Sequence, residues 1–70
     1  MFNYNKLRGR IIEKCGSVNA FANKVGLSTV SMSRKLNNKT EISREDIINW
    51  SEVLDISKDD YGAYFFTKEV

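Results

Sequence analysis

Seventy residues with a formal net charge of +2, one cysteine and no histidine describe one small domain whose core is marginal and depends on helix packing or a partner subunit. A lone cysteine closes no internal disulfide, and without histidine there is no ligand set for a structural zinc. No apolar run approaches the roughly 20 residues of a membrane span. The opening Met-Phe-Asn-Tyr-Asn-Lys lacks the apolar core of a signal peptide, so a cytoplasmic protein is expected.

The small net charge conceals an asymmetry. Residues 1–39 carry eight basic side chains (Lys6, Arg8, Arg10, Lys14, Lys24, Arg34, Lys35, Lys39) against Glu13 alone, about +7. Residues 40–70 carry Arg44, Lys58 and Lys68 against eight acids, about −5. Polarisation of this kind points to a basic face turned toward a polyanion, although two ordinary solvated surfaces would give the same count.

In chain order, Tyr4, Leu7, Ile11 and Cys15 recur at helical spacing and predict a first helix over residues 4–15, ended by Gly16. Ser17 is an N-cap, and Val18, Phe21, Ala22 and Val25 form one face of a second helix that stops at Gly26. The next stretch, Ser28 to Ser33, alternates polar and apolar residues as a strand would. An isolated strand there would leave its backbone groups without partners. The helical period is therefore preferred, giving a third helix over 29–37 with only Met32 and Leu36 as inward anchors.

Asn37 to Glu41 form a polar connection with Asn38 as its left-handed residue. Ser43 and Asp46 approximate a capping box for a fourth helix over 44–54, whose inner stripe is Ile47, Trp50, Ser51 and Leu54. Ile56 is expected to enter the core, and a short fifth helix is expected near 58–63. Tyr64, Phe65, Phe66 and Thr67 suit a short strand or an extended tail. The fold class is thus all-α, a compact bundle of about five short helices in a single domain over 1–70.

Two short helices joined by Gly-Leu-Ser, the second with a thin apolar stripe, make a helix-turn-helix pattern over about 17–37. Ala22 allows a close crossing, Gly26 makes the turn, and Val25, Leu27 and Met32 fill the space between the helices. A helix that enters a major groove needs just enough apolar surface to hold it down. On a helical wheel Arg34 points directly away from the Met32–Leu36 stripe, with Val30 and Asn37 beside it.

The run "SVNAFANKVGLSTVSMSRKLNNKTEIS" resembles the helix-turn-helix of lambda-repressor-like (Cro/Xre-type) phage regulators, through Ala22, Gly26, Ser28, Ser31, Asn37 and Lys39. The flanking "KLRGRI" (residues 6–11) and "YFF" (64–66) resemble a short Cro-like subset, so the likeness spans nearly the whole chain. Two positions depart from the pattern: Val18 stands where glutamine is frequent, and Asn38 stands where glycine is expected.

The resemblance implies a sequence-specific regulator that binds double-stranded operator DNA, with no cofactor and no small-molecule substrate. Thr29, Val30, Ser33 and Arg34 would face base edges, with Arg34 suited to a bidentate contact with guanine and Val30 to a thymine methyl. Ser17, Asn19, Ser28, Ser31, Lys35, Asn38, Lys39 and Thr40 would hold phosphates, helped by exposed backbone N–H groups. The remaining cations, Lys6, Arg8, Arg10, Lys14 and Lys24, would supply sequence-independent attraction.

Two assignments stay open at this level: Arg34 could be a solvated helix residue, and Val30 could belong to a small satellite core. Tyr61, Tyr64, Phe65 and Phe66 exceed what so small a core needs, and a homodimer contact at Tyr64, Phe65 and Phe66 is expected. In a chain of 70 residues the self-cleaving domain of lysogeny repressors is not expected, and a Cro role is the expectation. The competing expectation is a protein-interaction module, an antirepressor or accessory regulator using the same fold. An enzyme is the least expected class, given no histidine, activated nucleophile or metal cluster.

Overall fold

The computed structural model describes residues 1–68. Helix α1 spans Asn5–Cys15, α2 Val18–Val25, α3 Thr29–Leu36 and α4 Arg44–Leu54. A 3-10 turn over Lys58–Asp60 runs directly into α5, Tyr61–Phe65. Among the described residues the architecture is therefore an all-α bundle of five short helices, none of them long and apolar enough to cross a membrane.

Local chemistry sets the boundaries. The Ser17 hydroxyl accepts from the Ala20 amide and Ser28 from the Ser31 amide, so both helices of the central unit start on serine caps. Ser43 and Asp46 form the full reciprocal capping box at the start of α4. Gly26 ends α2 at φ 76°, ψ 26°, a left-handed conformation that a Cβ would strain. Asn38 adopts φ 61°, so the amide residue stands in for the glycine of the resembled pattern.

Every inward stripe read from the sequence meets in one core. Leu7, Ile11, Phe21, Ala22, Met32, Trp50 and Leu54 are fully enclosed, and Ile42, Ile47 and Ile56 close its edges. Trp50 is the centre: Phe21 meets it edge-on at 5.3 Å between ring centroids, and Phe65 tilts against it at 6.4 Å. Truncating such a ring to alanine costs about 3–5 kcal/mol.

The C-terminal expectation needs correcting. Tyr64 and Phe65 are the last turn of α5 and not a strand or tail, because Phe65 fills the core beneath Trp50 and Tyr61 packs edge-on against it. Among the described residues beyond the helix, an isolated antiparallel bridge joins Phe2 and Lys68, with the Asn3 amide donating to the Thr67 carbonyl at 2.6 Å. The fifth helical segment thus reaches two residues further than its predicted end at 63.

Candidate nucleic-acid interface

Met32 and Leu36 bury one side of α3 against the core, which leaves the opposite side in solvent. Thr29, Val30, Ser33 and Arg34 all lie on that exposed side. Val30 is 64% exposed, so the satellite-core alternative is excluded for it. Arg34 makes no side-chain hydrogen bond or ion pair among the described residues, in contrast to most of the other cations around it.

The free amides at the helix starts extend this surface. Thr29 and Val30 at α3, and Val18 and Asn19 at α2, precede the hydrogen-bonded ladder of their helices, so no intrahelical carbonyl can take their N–H groups. Ser17, Asn19 and Ser28 stand exposed beside them, while Ser31 is half-buried with its hydroxyl 3.1 Å from that of Ser28. Lys39 and Thr40 are exposed on the far side of α3.

Several expected contacts are already committed inside the molecule. Lys35 Nζ lies 2.6 Å from Asp46 Oδ2 and 3.3 Å from the Glu41 carbonyl, so it locks α3 to the capping box of α4 and is not free for phosphate. Burial by itself would push the Asp46 carboxyl up. The Lys35 hydrogen bond, the Ser43 amide and the Lys35 charge outweigh it and hold Asp46 below the usual carboxylate value.

The Asn38 side chain is likewise engaged within the chain. Its side-chain amide accepts from the Phe2 N–H at 3.0 Å and donates to the Phe2 carbonyl at 2.8 Å, pinning the N-terminus to the loop after α3. The backbone N–H groups expected to be free after α3 are also used. Those of Asn37, Asn38, Lys39 and Thr40 all donate to carbonyls of Ser33, Arg34 or Lys35.

The cations of α1 do structural work. Arg8 donates to the Leu36 carbonyl at 3.2 Å and to Asn37 Oδ1 at 2.9 Å, while Arg10 donates to the Leu54 and Asp55 carbonyls at 2.8 and 2.9 Å. Each guanidinium therefore caps the C-terminus of another helix, where carbonyls lack partners and the dipole is negative. Lys14 pairs with Asp55 at 3.9 Å, and Lys6 sits 4.9 Å above the Tyr64 ring.

One consequence for α3 has no local signal in the sequence, because it depends on a residue 29 positions before Asn37. Arg8 fixes Asn37 so that its Nδ2 donates to Ser33 Oγ at 3.2 Å. Ser33 then accepts from within the protein and keeps its own hydroxyl proton for an outside acceptor. The C-terminal aromatics also divide. Phe65 is 2% exposed, which removes it from the expected dimer contact, and Tyr64 is half-buried under Lys6. Phe66 is 52% exposed and meets Phe2 edge-on at 6.0 Å.

The chain and its fold have known counterparts. The family model described as "Protein of unknown function (DUF739)" matches residues 1–68. The chain belongs to that family. It is similar to the modulator of repression (MOR) of the temperate bacteriophage TP901-1 from Lactococcus lactis, whose solution structure superposes with a TM-score of 0.86. The two are 38% identical over 99% of this chain and 93% of that one. No curated protein matches the chain. The family found is thus DUF739, and the likeness extends to a phage regulatory protein of the same small helical fold.

Proposed function

We propose that the chain is a phage transcriptional regulator that binds double-stranded operator DNA with α3 in the major groove, in the manner of lambda-repressor-like (Cro/Xre-type) proteins. The observation that carries this reading is Arg34. It is exposed and unpaired among the described residues, on the outer face of a short helix whose inner face is pinned by two residues. Thr29, Val30 and Ser33 share that face, and the unmade N–H groups of α2 and α3 suit phosphates on either side. Arg34 would donate two hydrogen bonds to a guanine edge, Val30 would meet a thymine methyl, and Ser33 would offer a proton to a base acceptor.

In this role the chain works in the bacterial cytoplasm without a cofactor or catalysis, and its setting is a lysis–lysogeny switch. The test is titration of labelled duplex from the DNA beside its own gene, against random duplex. Salt-dependent preference for one site, lost in Arg34→Ala, supports the reading. Equal affinity for all duplexes, or none, contradicts it.

A second reading has its own support. The similar phage protein is a modulator of repression, and an apolar side chain as exposed as Val30 suits a protein surface as well as a methyl group. The chain would then act as an accessory regulator that docks on a repressor. Binding to the phage repressor without DNA, abolished by Val30→Asp, would favour this reading over direct operator binding.

A further inference from the structure

We infer that the outer face of α4 pairs with the same face of a second copy of the chain, in an antiparallel two-fold dimer centred on Ile48. This association does not require α3 to bind DNA. Ile48 is 47% exposed, an apolar side chain on a helix face whose other exposed members are Arg44, Glu45, Asn49 and Glu52. Arg44 lies four residues before it and Glu52 four residues after, so the three form one i, i+4, i+8 row with about 6 Å between successive members. Both charged side chains are exposed, and neither makes an ion pair among the described residues.

The row is complementary to itself when reversed. A two-fold axis through Ile48 places Ile48 against the partner's Ile48 and sets Arg44 opposite Glu52 at each end, giving two identical charge pairs. A parallel pairing would set like charges together at both ends. The charges are also placed against the helix dipole within one chain. Arg44 is the first residue of α4, where the dipole favours acids, and Glu52 is in its last turn, where the dipole favours bases. Pairing with a second copy offsets both costs at once.

The surface around the row fits an apolar contact. Ile48 lines two hollows. One, of about 430 Å³, is lined by Ile42, Ile47, Tyr61 and Phe66, with Arg44, Glu41 and Lys58 at its charged edge. The other, of about 520 Å³, holds Glu52. Phe66, the exposed member of the C-terminal aromatic group, therefore borders the same contact, whereas Phe65 is enclosed behind it.

Sedimentation equilibrium of the purified chain without DNA tests this, with circular dichroism melts of each variant to establish folding. The expected result is a concentration-dependent monomer–dimer equilibrium that Ile48→Asp abolishes. Glu52→Arg alone puts two arginines face to face at both ends and weakens association by roughly tenfold or more. Adding Arg44→Glu restores it to about the starting affinity, and this double reversal also suits the helix dipole, so a loss of folding would not explain a failure. A chain that stays monomeric to about 1 mM, a dimer that survives Ile48→Asp, or a double reversal that does not recover would each overturn the proposal.

Discussion

Arg8 and Arg10 on α1 and Arg34 on α3 are the same chemical group with different neighbours. The first two end on the carbonyls of Leu36, Leu54 and Asp55, which are helix C-termini inside the same chain. Arg34 ends in solvent. A backbone carbonyl at a helix terminus competes for guanidinium as a phosphate does, and it is present at a fixed distance in every molecule. The formal charge of the basic half is therefore a poor measure of what it offers a polyanion. Lys24, Arg34 and Lys39 remain exposed without a side-chain partner among the described residues, while Arg8, Arg10, Lys14 and Lys35 are engaged.

The largest effect expected from this division is on Arg10. Replacing it with methionine removes two charge-assisted hydrogen bonds from the end of α4 and should cost about 1.5–3 kcal/mol of stability, read by urea denaturation. Binding by the folded fraction should not change. Arg34→Ala should behave in the opposite way, leaving the melting curve in place and costing about 1–3 kcal/mol in binding to the preferred duplex. An Arg34 variant that melts early, or a folded Arg10 variant that loses site preference, would break the division.

The helices themselves are legible in the sequence to within about a residue from α1 to α4, because each has a stripe and a serine or glycine at one end at least. Ser17, Gly26, Ser28 and the Ser43–Asp46 box all act as their positions implied. The aromatic run at 64–66 misled, since its composition favours a strand while Trp50 supplies a tertiary partner that keeps Phe65 helical. The exposed face of α3 was legible from its thin stripe. The fates of Lys35, Asn38, Arg8 and Arg10 were not, because nothing local tells which carbonyl or carboxylate a long side chain will meet.

A smaller effect follows from Asp46. Its folded-state pKa is depressed, chiefly by Lys35 and the Ser43 amide working against burial, so its contribution to stability is present above the ordinary carboxylate value of 3.8 and is lost as pH falls through the folded value. Wild type should therefore lose more stability than Asp46→Asn below about pH 4. Equal acid sensitivity of the two would show that the Lys35–Asp46 lock contributes nothing.

The smallest difference lies between two neighbouring lysines. Lys39→Ala should reduce the salt slope of duplex binding by about one, as a phosphate contact does, while Lys35→Met should leave that slope unchanged and lower stability slightly. Matching slopes would mean that Lys35 leaves Asp46 to reach DNA.

Footprinting on the duplex beside the gene is the most direct test of α3 as a base reader, carried out with wild type, Arg34→Ala and Arg10→Met at a temperature where all three are folded. A discrete protected site is expected for wild type and for Arg10→Met, and loss of that site for Arg34→Ala. Uniform protection, no protection, or a site indifferent to Arg34 would contradict it.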